Sequence, residues 1–301
     1  MDGMDGPYLG KLRVWEGWVP TAVQELPLPA QGSGLPGPQQ WVHYADQLYA
    51  REALNPAAAP PPTDEGAEPY TLQWFLHLEN QRHGRQGRWI PRLLEFAKHP
   101  GETLLGLGNG LGTDWLQYAR HGAAVIACSP AAEQLALIRR NFELRGLTGR
   151  FLHARLDSLP LENATIDVVC LSSLLHEAGD PHAVVDEIYR VLKPGGKVLA
   201  VTPARYDVDY WNSWCFPWRH WLASPTAGRP VQLMRFSRRE LRRLFGRFIE
   251  HRIHKRHLRR AETPHFCRFV PLSVLERLMG HVLVLKAFKP LSSAIGTPLA
   301  A

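Results

Sequence analysis

The sequence is poor in cysteine and methionine, with four of each in 301 residues. Cys128, Cys170, Cys215 and Cys267 are scattered with no Cys-x-x-Cys pair, which argues against a zinc ligand set and against a disulfide framework. A reduced, cytoplasmic protein is the expectation. No apolar run approaches the roughly 20 residues that a membrane-spanning helix needs. The start, Met1-Asp2-Gly3-Met4-Asp5, is acidic and polar where a secretory leader would be basic and then apolar. A dinucleotide fingerprint is missing as well: where Gly-x-Gly-x-x-Gly needs its third glycine, Gly106 and Gly108 are followed by Leu111, and Gly108 and Gly110 by Thr113.

What is present is enough apolar content, 45% of residues, to fill one large α/β core with an appendage. The densest local signal is Thr103 to Gly112, in which Gly106, Gly108, Gly110 and Gly112 alternate directly after an apolar run. Thr103-Leu104-Leu105 reads as a buried strand, and Thr113 to Ala119 as the first turns of a helix closed by Gly122. At that density the glycines suit close backbone approach to a ligand rather than any helix or strand. The helix N-terminus behind them points its dipole and free N–H groups at the same place.

The order continues regularly. Ala124 to Ala127 is a second strand; Ser129-Pro130 offers an N-cap and first-turn proline for a helix to Arg145, stopped by Gly146. Phe151 to Ala154 and Ile166 to Leu171 are the third and fourth strands. Asp180-Pro181 opens a helix ending in Arg190-Val191-Leu192-Lys193-Pro194-Gly195-Gly196, which feeds the strand Lys197 to Val201. The glycine loop, Leu159-Pro160, Ile166-Asp167-Val168-Val169, Ser172-Ser173-Leu174-Leu175-His176 and the Val-Leu-Lys-Pro-Gly-Gly run resemble, in order and spacing, the class I S-adenosylmethionine-dependent methyltransferases.

The resemblance covers about 100 residues and implies a doubly wound α/β fold: a mostly parallel seven-stranded sheet with an antiparallel last strand and helices on both faces. Phe248 to Ile253 and His281 to Phe288 fit its two closing strands. Residues 71–301 would form this domain, and 1–70 an irregular extension rich in Pro and Gly whose one candidate helix carries Trp41, Tyr44, Leu48 and Tyr49. Helix over Thr71 to Leu94 would help cover the ligand.

The implied cofactor is S-adenosylmethionine. It would lie against Gly106, Gly108, Asn109, Gly110 and Gly112, against Cys128 and Ser129 after the second strand, Leu156 and Asp157 after the third, and Ser172 at the end of the fourth. His176 is the titratable group nearest the expected methyl position, as a catalytic residue or as one that structures its loop. The family's acids are missing: Gly106 stands at the first, Ala127 or Cys128 at the second and Arg155 near the third. Asp114 and Asp157 would supply carboxylates instead, or serve as a first-turn acid and a turn residue. Gly108→Val is expected to abolish cofactor binding without unfolding, and Ala127→Asp to improve it. The acceptor would be a small or lipid-like molecule, with a catalytically impaired scaffold protein and a nucleic-acid methyltransferase as alternatives.

Two segments stand apart. Residues about 205–235 hold Trp211, Trp214, Trp218 and Trp221, either a plug on the sheet edge or a lid. From Arg235 to Arg260, eleven Lys and Arg face two acids, a surplus of nine against a whole-chain charge of +7. This basic part is expected to lie on the surface and bind polyanions weakly. Ser237 and Glu240 form a capping box there for a helix with Leu241, Leu244, Phe245 and Phe248 as its apolar stripe. His251, His254 and His257, spaced by three, converge on no metal geometry.

Overall fold

The computed structural model describes residues 70–84, 87–108, 111–172, 175, 179–215, 234–264, 267 and 269–291. Residues 1–69 of the proposed N-terminal extension, and Asn109, Gly110, His176, Trp218 and Trp221, therefore lie outside the described residues.

Seven strands form one sheet in the order β3-β2-β1-β4-β5-β7-β6. They are β1 Thr103–Gly108, β2 Ala124–Ser129, β3 Arg150–His153, β4 Ile166–Ser172, β5 Leu192–Pro203, β6 Ile249–Arg256 and β7 Val282–Phe288. All neighbours from β3 to β5 pair in parallel; β7 runs antiparallel between β5 and β6. The helices are α1 Leu72–His83, α2 Ile90–Leu93, α3 Thr113–Arg120, α4 Ala132–Glu143, α5 Pro181–Val191, α6 Val208–Cys215, α7 Arg238–Leu244 and α8 Leu272–Met279.

Alternation along the central strands divides the core. Leu105, Leu107, Val169 and Leu171 point to one face, where Val184, Val185 and Ile188 of α5 and Leu241 of α7 meet them. Leu104, Val168 and Cys170 point to the other, against Trp115 and Leu116 of α3 and Ile138 and Phe142 of α4. Both faces being covered explains why the middles of β1 and β4, residues 104–107 and 168–171, are apolar without alternating polar residues. The order reverses at β1, from which the chain winds outward through β2 and β3 and then, by way of β4, toward β5. Such a switch point leaves a crevice beyond the strands' carboxyl ends.

Several local signals hold. Asp180 caps α5 through its backbone neighbours His182 and Ala183, and Ser237 and Glu240 form the capping box of α7. One differs: α4 begins at Ala132 with Ala131 at its cap. Ser129 is taken by β2, whose pairing with β3 runs on through Ser129 and His153, so the helix starts later than a Ser-Pro cap would place it.

Candidate active site

Gly106 and Gly108 are strand residues, and each is needed for packing. A Cβ on Gly106 would stand 2.4 Å from the Trp115 indole, and one on Gly108 would stand 2.1 Å from the Ser172 carbonyl oxygen of β4. Gly112 has φ +69° and faces Ile138 of α4 at 2.7 Å. The expectation that the alternating glycines have no strand purpose is thereby corrected. They let α3, α4 and the end of β4 close on β1, and that leaves the end of β1 free of side chains. Gly108→Val would disrupt the β1–β4 crossing itself, so it is not a clean test of a ligand.

Around this strand end four groups converge. Asp114, in the first turn of α3, is buried. Arg82 of α1 binds it in fork fashion, Nε donating to Oδ1 at 2.6 Å and Nη2 to Oδ2. His83 Nε2 stands 2.9 Å from Oδ1, and Arg82 Nη2 also donates to Ser172 Oγ at 3.0 Å. Burial opposes ionisation of Asp114, yet Arg82 and His83 outweigh it and hold its carboxyl well below the usual carboxylate range. Arg82 and His83 are brought there by α1, whose Trp74, Phe75 and Leu78 pack on Leu111 of the glycine loop and Leu137 of α4. Glu79 of α1 pins the same contact by accepting from Arg120 of α3 and from Arg145, just past the end of α4. The segment expected to cover a ligand thus covers the loop.

The other expected site residues spread along the neighbouring strand ends. Cys128 is buried, and burial pushes its thiol up to about 12, so it is an inert core group. Ser129 Oγ is occupied, donating to Gln134 and accepting from the Ala131 N–H. The Leu156 side chain joins the core. Asp157 is accessible and bound by Arg155 through two hydrogen bonds, at 3.0 and 2.6 Å. The structure thus unites Gly106, Gly108, Gly112, Asp114 and Ser172, and sets Cys128, Ser129, Leu156 and Asp157 further along the edge.

Gly106 and Ala127, two positions where the resemblance expects acids, are register partners in β1 and β2. Ala127 is fully buried in the cluster that holds Trp115, Ile138 and Phe142. An aspartate there would bury a carboxylate among apolar groups, so Ala127→Asp is expected to destabilise the protein instead of restoring a ligand.

Beyond β5 lies a second polar group that sequence spacing does not reveal. His281, just before β7, stands with Nδ1 3.3 Å from Asp207 Oδ2 and Nε2 3.2 Å from Glu262. Arg235 donates to the same Asp207 oxygen at 2.7 Å. Asp207, Asp209 and His281 lie close enough together to offer ligand atoms to one cation, but Arg235 and Glu262 already meet the charges of Asp207 and His281. Burial would lower the pKa of His281, but the two carboxylates raise it above the ordinary value.

Residues 104–200 match a family described as a methyltransferase domain. Demethylmenaquinone methyltransferase of Thermus thermophilus is 34% identical over 121 residues, 39% of this chain and 55% of that protein. Malonyl-[acyl-carrier protein] O-methyltransferase of Serratia marcescens is 34% identical over 109 residues, 36% of this chain and 41% of that one. The chain spans about half the length of the curated relatives it matches first. Among solved structures, the 4+2 cyclase SpnF superposes with a TM-score of 0.50 at 18% identity, covering 85% of this chain and 96% of that one, a likeness of fold. Over residues 104–200 the chain thus carries a methyltransferase domain similar to the class I S-adenosylmethionine-dependent methyltransferases, whose methyl donor is S-adenosylmethionine.

Among the described residues no helix is long and apolar enough to cross a membrane.

Proposed function

We propose that the protein transfers a methyl group from S-adenosylmethionine to a small, lipid-like acceptor. The observation that carries this is the convergence of Gly108, Gly112, Ser172 and the Asp114–Arg82 pair at the switch point. It provides side-chain-free backbone for close approach, a helix N-terminus, a hydroxyl and a guanidinium, which suit the amino-acid end of the donor. When bound, the donor supplies an electrophilic methyl group for in-line displacement. The chain's task is then to position the acceptor and exclude water, with a base needed only if the acceptor keeps its proton. Asp157 is the accessible carboxylate for the ribose side, and His176 the candidate group near the methyl. Relatives named for acting on demethylmenaquinone, on malonyl-acyl-carrier protein and in ubiquinone biosynthesis favour an acceptor with an apolar body and one nucleophilic oxygen or carbon.

A second reading is that turnover has been lost and the fold serves in binding. Gly106, Ala127 and Trp115 favour it, because apolar packing stands where the resemblance expects carboxylates. Incubation with methyl-tritiated donor and a short-chain isoprenoid quinol separates the two readings. Organic-extractable tritium supports transfer to a lipid-like acceptor. Donor binding without label in any acceptor of a panel of quinols, phenols and carboxylic acids supports the second.

A further inference from the structure

Helices α6 and α8 pack on each other around a small core of their own, made by Val208 of α6, Leu275 and Met279 of α8, and Leu258 and Cys267 between them. A helix that buries one such face ordinarily carries polar residues on the other. Neither helix does. Opposite Val208, α6 presents Tyr210 and Trp214 at i and i+4, and Trp214 is 72% exposed. Beside Leu275 and Met279, α8 presents Val274 and Leu278, again at i and i+4, with Leu278 57% exposed. Phe269, three residues before α8, is 93% exposed. Large aliphatic and aromatic side chains concentrated on two neighbouring helices mark an interaction surface rather than the scattered exposure of any protein.

Its border is cationic. Arg277 flanks Val274 and Leu278 on α8, and Arg238, at the start of α7, donates to the Arg277 carbonyl at 3.0 Å. That bond ties the arginine-rich α7 to the apolar face. Arg239, Arg242 and Arg243 of α7 are exposed and have no carboxylate partner among the described residues. Positive charge is concentrated enough that, beside burial, Arg238, Arg252, Arg256 and Arg277 together depress the pKa of His254 on β6. The nearby acids are already engaged: Glu240 caps α7, Glu250 meets Arg252, and Glu276 holds Arg256 and the His257 N–H.

We infer that α6, α8 and the arginines of α7 form a docking surface for an anionic lipid bilayer, with the exposed aromatic and aliphatic side chains entering the headgroup and acyl boundary and the arginines meeting acidic headgroups. Tyr and Trp with an apolar body and a polar edge suit that boundary. Arginine adjoining aliphatic residues combines the two attractions a surface-bound helix uses. A nucleic acid would satisfy the arginines but leave Val274, Leu278 and Phe269 in water, which is why the bilayer is the occupant that fits the whole surface.

Co-sedimentation of the full chain with vesicles tests this without donor or turnover, so its failure leaves methyl transfer untouched and failure of transfer leaves this surface untouched. Vesicles of phosphatidylglycerol and phosphatidylethanolamine are compared with vesicles of phosphatidylcholine, and with polyuridylate as a competing polyanion. Expected is partitioning at least tenfold stronger onto the anionic vesicles. It should drop at least tenfold in Val274→Ser/Leu278→Ser, and also in Arg239→Gln/Arg242→Gln/Arg243→Gln, with unfolding temperatures checked in both. No preference for anionic vesicles overturns the proposal. So does a loss confined to the arginine variant, or tight polyuridylate binding by a protein that ignores vesicles, because either describes a bare polyanion site.

Discussion

The two halves of the sheet's carboxyl edge are held by different means. Around β1 and β4 the chain is closed by sterics: Gly106 under Trp115, Gly108 against the Ser172 carbonyl, and one buried ion pair between Asp114 and Arg82. Around β5, β7 and β6 it is closed by a charge network, with His281 between Asp207 and Glu262 and Arg235 alongside. The family match ends at residue 200, so it takes in the first half and leaves most of the second outside. The half that would hold a common donor has little room for change. The other half rests on interactions that respond to pH.

The largest effect should come from the steric half. Gly108→Val places a branched side chain into backbone and should cost at least about 3 kcal/mol, whereas Gly101→Ala, at φ +77° with open space around it, should cost about 1–2 kcal/mol from backbone strain alone. Urea unfolding compares them, and equal midpoints would break the contrast.

Next comes Arg82→Met, which strands a buried carboxylate and should cost about 3 kcal/mol at neutral pH. The folded protein holds the Asp114 pKa below its unfolded value. The pair's contribution is therefore present above the ordinary carboxylate range and is lost as pH falls through it toward the depressed value. Arg82→Met should flatten that acid limb of stability, and an unchanged limb would show that the pair is not what closes this half.

The charge network should behave with the opposite sign. The folded-state pKa of His281 is raised, so its contribution is complete below the unfolded histidine value and fades as pH rises through the folded one. His281→Gln should cost about 1–3 kcal/mol near pH 6 and progressively less toward pH 9. A cost independent of pH would make the residue a packing element only.

Much of the first half was legible because its signals are local. Asp180-Pro181, Gly146 and the Ser237–Glu240 box each act within a few residues, and the glycine loop announces the switch point. What was not legible depends on partners far apart in the chain. Arg82 meets Asp114 across 32 positions and His281 meets Asp207 across 74, with no periodicity to mark either pair. The Ser129 cap failed for a related reason, since strand pairing with β3 overrode a local helix-start signal. Ala127 looked like a vacancy for an acid until β1 and β2 set it beside Gly106 within reach of the Trp115 cluster.

The smallest structural effect concerns Asp157, which lies accessible at the end of the first half. Asp157→Asn should leave the unfolding midpoint unchanged while weakening S-adenosylhomocysteine binding roughly tenfold, the loss of one charged acceptor. Unaltered affinity would place the ribose elsewhere on the edge.

Isothermal titration of the wild-type chain with S-adenosylhomocysteine, repeated on Ser172→Val, tests most directly whether the carboxyl edge of β1 and β4 is the donor site. The account predicts a one-to-one complex of micromolar affinity, weakened severalfold by the loss of the Ser172 hydroxyl. No heat of binding at millimolar ligand would contradict it.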